Sequence, residues 1–386
     1  MAEPGHEEQP DEKRVSWAEL FFDLVFVVAV TRVSGLLTDS HSWAGVGQAV
    51  VVFVPIYWLW VGTAIQTNLQ DTSRAVLHLR IFAVALAGVF MALALPQAYG
   101  RLGLLYALAY WVGRLVLGIA LVMASARSRG IPLNPYTVSM VLTGPMLVAG
   151  SFAHGDAREA VWAVAALIDL STPTVLRPQL RRMHLDAGHL AERFGLFVLI
   201  ALGESVVAVG TAAGAVELTV GRGFAVAVAF VLSCALFWVY FHFAADAMRH
   251  AMATAKVQLD ITRLVLSYGH LAFIAAIIFT AVGLRESILE PGQHLSWAFA
   301  GLLVGGTALY LASFGFTRWA MFRLVSWTRL TAAGAVLALL PLAPHLPALA
   351  TLTAIALILI VLNTVELMRV EQIGWRARIN GRVPAR

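Results

Sequence analysis

Apolar runs long enough to cross a bilayer, separated by short polar stretches, recur along this whole chain and leave it few folds to choose from. A run of about 18 residues or more matches a hydrocarbon core about 30 Å thick. Inside hydrocarbon every backbone N–H and C=O must be satisfied within the segment, so such runs become transmembrane α-helices. Polar surface is scarce to match: 60% of the 386 residues are hydrophobic and 13% are charged, against about 25% charged in a typical soluble domain. The single cysteine, Cys234, lies inside an apolar run. It reads as a small core residue and excludes an intramolecular disulfide or a thiolate metal centre.

Breaks at Pro, Gly and charge divide the chain into twelve spans, at roughly 17–37, 43–65, 78–97, 101–124, 136–153, 159–176, 190–213, 221–245, 259–284, 295–315, 326–344 and 347–368. The stretch at 136–153 holds Gly144-Pro145 at its middle, and the pair at 326–368 turns on Pro341, Pro344 and Pro347, as a hairpin would. The first 16 residues are polar and mostly acidic, without the basic-then-apolar order of a cleavable leader. Placing the N-terminus in the cytoplasm puts 21 of the 27 Lys and Arg residues in the tails and even-numbered connections. Arg32, Arg101, Arg158, Arg222 and Arg285 fall on the opposite side, and Arg114 lies within a span. That asymmetry is the positive-inside pattern, so both termini are expected in the cytoplasm of a bacterial plasma membrane. It also accounts for the net charge of +5 without a nucleic-acid partner. Trp17, Trp43, Trp58, Trp60, Trp297 and Trp327 sit near span ends, where an aromatic belt would anchor them.

The two halves echo one another. AELF at 18–21 returns as AERF at 191–194, YWLW at 57–60 as FWVY at 237–240, and HLRIFAVAL at 78–86 as HLAFIAAII at 270–278. The expected organisation is an acidic tail (1–16), a six-helix repeat (17–176), a basic linker (177–189), a second six-helix repeat (190–368) and a basic tail (369–386). Six is even, so the repeats are parallel, related about an axis along the membrane normal.

Ionisable side chains inside a span are costly and normally face the bundle interior or water. Glu19 and Asp23 are four residues apart on one helical face, with Asp23 about 9 Å along the helix from Trp17 at ~1.5 Å per residue. Arg32, near the far end, has the option of snorkelling outward. The seventh span carries Glu192, Arg193 and Glu204, with Glu204 near mid-membrane and Gly203, Gly210 and Gly214 beside it as a small-residue stripe suited to close helix packing. Two readings of Glu204 stand side by side. It either pairs with Arg114 as a buried lock, or it serves as an ion or proton site. Weaker candidates are Asp169, at a Ser171-Thr172-Pro173 stretch that reads as a helix break or an interfacial turn, and His242 with Asp246 at the inner end of the eighth span. His78 and His270 correspond across the repeat, but neither half holds a second histidine at that depth for haem. No nucleotide-binding, zinc-protease or nucleophile-elbow motif occurs. No cofactor, resident metal or catalytic residue is therefore expected, and the chain does not read as an enzyme.

WAELFFDLVFVVAVTRVSGLL at 17–37 and HLAERFGLFVLIALGESVVAVG at 189–210 together resemble the bacterial low temperature requirement A (LtrA) family, over roughly residues 14–370. The resemblance implies a multi-pass membrane protein linked to growth in the cold. FFDLVFVVAVT at 21–31 is also faintly similar to the segment opening the pore-lining first helix of the lysosomal potassium-channel family, although Phe22 replaces that pattern's Ser. From the residues, the expected activity is secondary transport or ion conduction through intramembrane carboxylates, with Glu19, Asp23, Glu192 and Glu204 as polar lining and Arg32 and Arg193 tuning them. The alternative is a structural or stress-adaptation protein acting through lipid or partner contacts. Expected partners are the bilayer and a small solute or ion, and the arrangement is compatible with a homodimer.

Overall fold

A computed structural model describes residues 14–40, 42–70, 75–125, 133–181, 183–242 and 244–379. Most of the acidic tail and the end of the basic tail therefore lie outside the described residues. The described chain is all helical: α1 (Trp17–Ser40), α2 (Trp43–Asn68), α3 (Ala75–Ala94), α4 (Gly103–Ser125), α5 (Pro135–Val138), α6 (Gly144–Gly150), α7 (Asp156–Val175), α8 (Arg177–Leu180), α9 (Ala187–Gly214), α10 (Val220–Phe241), α11 (Ala245–Thr254), α12 (Gln258–Ile261), α13 (His270–Leu289), α14 (Trp297–Phe322), α15 (Trp327–Leu337) and α16 (Ala348–Ile379). Two π-helical segments, Ser139–Thr143 between α5 and α6 and Thr262–Gly269 between α12 and α13, widen the helices that contain them.

Among the described residues nine helices are long and apolar enough to cross a membrane, and the protein is a multi-pass membrane protein. Their outer surfaces are apolar: α3 turns Leu79, Phe82, Leu86, Phe90 and Leu93 outward while burying Leu77, Ile81, Val84 and Met91. An apolar coat outside an apolar core suits lipid, not water. The other three expected spans are helical but different in kind. The stretch at 136–153 is α5, the π segment and α6 in series. Helix α7 is 20 residues long and carries Asp156, Arg158, Glu159 and Asp169. Helix α15 is only 11 residues and gives way to turns before Pro341 and Pro344, where the residue ahead of a proline is biased against helix.

Pairwise packing repeats between the halves. In the first, α1 packs on α2 and α3, α3 on α4, α2 on α7, α4 on α6, and α6 on α7. In the second, α9 packs on α10 and α13, α13 on α14, α10 on α16, α14 on α15, and α15 on α16. The halves join where α1 meets α9 and α13, and where α2 meets α9.

Trp17, Trp43, Trp297 and Trp327 are exposed, as belt anchors should be. Trp58 and Trp60 are not: both are buried, and Trp60 faces the centre of the bundle. Cys234 is exposed on α10 and is not a core residue. A Cβ added at Gly203, Gly210 or Gly214 would meet nothing within 4 Å, so that stripe makes no close packing within the described chain.

Candidate functional site

The centre of the α1–α2–α9 junction holds a buried ionic cluster. The four-residue spacing of Glu19 and Asp23 aims both carboxylates from α1 at Arg193 on α9, and all three side chains are within 1% of full burial. Arg193 Nη1 donates to Glu19 Oε1 at 3.0 Å and to Thr67 Oγ1 at 2.9 Å, while Nη2 donates to Asp23 Oδ1 at 2.5 Å. Trp60 Nε1 on α2 donates to the same Asp23 oxygen at 2.7 Å. The guanidinium also lies over the Phe22 and Trp60 rings, with its central carbon 5.8 and 5.7 Å from their centroids. The Ser16 amide and hydroxyl donate to Glu19 Oε2, each at 2.9 Å, at the mouth of α1.

His189 completes the cluster one turn below Arg193, with Nε2 3.2 Å from Glu19 Oε1 and 3.3 Å from Oε2. Its tautomer follows from its neighbours. The Asp186 backbone amide donates to Asn68 Oδ1 at 3.0 Å, and Asn68 Nδ2 donates to the Asp186 carbonyl at 2.9 Å. That orients the Asn68 amide nitrogen toward His189 Nδ1, 3.1 Å away, which must accept. Nε2 is then the ring nitrogen that donates to Glu19. Two carboxylates thus share one guanidinium. Asp23 Oδ2 is buried and has no hydrogen-bond partner among the described residues.

About three turns along α9 from Arg193, Glu204 is 4% exposed and accepts from Thr31 Oγ1 on α1 at 2.6 Å. No described cation lies within ion-pair distance of it. The expected lock with Arg114 is not formed, because Arg114 is committed elsewhere: Nη1 donates to the Trp58 carbonyl at 3.2 Å and Nη2 to Ser139 Oγ at 2.6 Å. Ser139 Oγ and Thr143 Oγ1 each reach Asp169 Oδ1, at 2.7 and 2.8 Å, and Tyr110 donates to Oδ2. The two secondary candidates Arg114 and Asp169 thus meet through a serine of the π segment. Asp169 sits in an unbroken helix, caged by hydroxyls, and not at the helix break or interfacial turn its sequence suggests.

The remaining candidates lie apart from the cluster. Glu192, adjacent to Arg193 and so about 100° around the helix at 3.6 residues per turn, is exposed and faces a polar recess shared with Arg14, Asp246 and Arg249. Arg32 is exposed on α1. His242 is exposed and stacks on Trp238 with ring centroids 4.7 Å apart, and Asp246 is exposed beside it. Sequence reasoning missed His189 and Trp60 as members of the cluster. It also missed a buried ion pair in the second half, where Arg329 Nη2 reaches Glu366 Oε2 at 2.9 Å.

Trp60 offers a direct check on this geometry. Trp60→Phe keeps an aromatic ring against Phe197, on which the indole now stacks with centroids 4.2 Å apart, and removes the donor to Asp23. The loss of a hydrogen bond to a charged group should cost about 1.5–3 kcal/mol, read as a lower midpoint of thermal unfolding in detergent. A midpoint equal to the parent's would dismiss that bond as a stabilising contact.

An uncharacterized protein of Rhizobium meliloti (strain 1021) is 32% identical over 319 residues, covering 79% of this chain and 77% of that protein. No solved structure matches the chain. The model of the bacterial low temperature requirement A protein, LtrA, matches residues 14–364, from just before α1 to the middle of α16, and the chain belongs to the LtrA family.

Proposed function

We propose that this LtrA-family protein is a secondary transporter or channel that moves a small solute or ion without ATP, with protons carried by its intramembrane carboxylates. One observation carries the reading: two buried carboxylates, Glu19 and Asp23, share the one guanidinium of Arg193, and among the described residues Asp23 Oδ2 has no hydrogen-bond partner. A purely structural cluster gains by exact compensation, since an uncompensated buried charge is strongly destabilising. A cluster that must gain and lose a proton gains by falling one charge short. Asp23 Oδ2 is the seat for that proton. Glu204, held by a threonine hydroxyl, is a second such group deeper along α9.

The architecture supports the same reading. Equivalent helices keep equivalent neighbours in the two halves, as expected of twelve crossings in two parallel six-helix repeats with both termini in the cytoplasm. Aligning AELF with AERF places Thr31 opposite Glu204, 173 residues on, and those two side chains touch. Contact between equivalent positions is what residues beside a two-fold-like axis make, and repeats commonly build their solute path there.

The rival is a structural or stress-adaptation protein in which these charges only lock helices together, a reading favoured by the density of hydrogen bonds around Arg193. Proteoliposomes decide between them. The parent protein should carry protons, reported by an internal pH dye, when gradients of candidate ions or solutes are imposed. Asp23→Asn and Glu204→Gln, both folded, should lose most of that flux. Equal flux in the doubly substituted protein would remove the carboxylates from the mechanism, and no flux under any imposed gradient would leave the structural role.

A further inference from the structure

A second site lies away from the cluster, where the halves meet through α2, α4, α5 and the π segment that precedes α13. There the helices enclose a cavity of about 320 Å³, at the lower end of the roughly 300–1,000 Å³ spanned by ligand pockets. Its wall is mostly apolar: Val61, Ile65 and Leu121 from the first half are joined by Leu259 from the second. Arg114 and Arg263 interrupt that wall, and no carboxylate is among the described residues that line it.

Neither guanidinium is fully used. Arg114 is 1% exposed, and its Nε has no hydrogen-bond partner among the described residues. Its balancing carboxylate, Asp169, stands behind Ser139 and away from the cavity wall. Arg263 donates to Thr174 Oγ1 at 2.9 Å and pairs with Asp260 at 3.5 Å, but its Nε is also buried without a partner among the described residues. Asp260 is already held by Arg177 through two bonds of 2.7 and 2.6 Å. Asp260 is thus shared by Arg177 and Arg263, Arg114 reaches Asp169 only through Ser139, and of these charged groups Arg114 and Arg263 line the cavity. Gly62 belongs to the same construction, since a Cβ there would meet Arg114 Nη1 at 2.7 Å and displace the guanidinium from the wall.

We infer that this cavity binds an amphiphilic anion, an acidic headgroup on one apolar chain, with Arg114 and Arg263 holding the head and the aliphatic wall holding the chain. The cationic groups explain the head, because buried guanidinium N–H groups without partners gain most from an anionic acceptor. The apolar majority of the wall explains the chain and excludes a small hydrated anion. The inference stands whether or not the Glu19–Asp23–Arg193 cluster carries protons.

Trp58 lines the cavity and supplies the readout. The full-length protein is placed in nanodiscs of zwitterionic lipid and titrated with 12-bromododecanoate, whose bromine quenches a nearby indole; 12-bromododecanol and empty nanodiscs are the controls. The acid should quench at concentrations about tenfold below the alcohol, the gain of roughly one charge-assisted hydrogen bond. Trp58→Phe should remove the added quenching, and Arg263→Gln should raise the midpoint about tenfold. Arg114→Gln should do the same, and if that variant fails to fold, the partly exposed Arg263 still decides. Acid and alcohol quenching alike, or an unchanged midpoint in Arg263→Gln, overturns the site. Nanodiscs with one third anionic phospholipid separate two sources of the same chemistry: competition assigns the head to a bilayer lipid, and its absence to a free carboxylate. Either result upholds an anion site.

Discussion

Arg193→Met should collapse the junction of α1, α2 and α9, and removing the two carboxylates with it should bring much of the stability back. Arg193 is fully buried and is the cation in contact with Glu19 and Asp23. Without it two carboxylates face each other from one face of α1, with only Trp60, Thr67, Ser16 and His189 around them. Removing one partner of a buried ion pair costs about 3–5 kcal/mol, most of it the penalty for the charge left behind. Arg193→Met should therefore give little monodisperse protein in detergent. In Glu19→Gln/Asp23→Asn/Arg193→Met no buried charge is stranded, and the side chains keep similar volumes, so folding should largely return. A destabilised triple variant would mean that the cluster acts through specific geometry and not through charge balance. The triple variant also separates the two functional readings, because a structural lock tolerates a neutral replacement and a proton path does not.

Part of this cluster is legible in the sequence. Glu19 and Asp23 fall on one face by spacing alone, and Arg193 stands out as a charge in a helix that otherwise seeks lipid. Their pairing is not legible, since it depends on the depth at which α9 sits beside α1, and that is set by the whole bundle. Glu192 looks equivalent to Glu19 through the AELF and AERF match, yet one position on a helix is about 100° of rotation, and it faces outward. Trp60 resembles a belt residue because it lies near a span end, but burial beside Asp23 gives its N–H a partner there. His189 stands at the edge of the basic linker, where a histidine carries no pattern; only the Asn68–Asp186 clasp identifies it. Arg329 carries no sequence signal of burial, because its partner Glu366 lies 37 residues away. The long apolar helices are readable because the bilayer imposes their length. The three shorter ones blur, since protein and not lipid satisfies their polar groups.

Glycines teach the same lesson with the opposite sign, and they set the other large expected effect. Gly203, Gly210 and Gly214 line up at helical spacing and yet open onto empty space, whereas Gly283 and Gly306 hold a close contact with the backbone of the facing helix. A Cβ at Gly306 would lie 2.8 Å from the Thr280 amide nitrogen and 2.9 Å from the Ala276 carbonyl. One at Gly283 would lie 2.8 Å from Leu303 Cα. These are backbone atoms, so no side-chain rotation relieves the clash, and α13 and α14 must move apart. Helix association in a membrane rests on such packing, because lipid tails are as apolar as the side chains. Overpacking a tight core costs typically about 1–3 kcal/mol, and Gly306→Leu should reach at least the top of that range. The damage should travel, since α13 also packs on α1 and α9, the helices that carry Glu19, Asp23 and Arg193. Gly306→Leu should therefore lower the unfolding midpoint sharply, whereas Gly210→Leu, on the open face, should leave it unchanged. Equal midpoints for the two variants would show that α13 and α14 do not meet at this crossing.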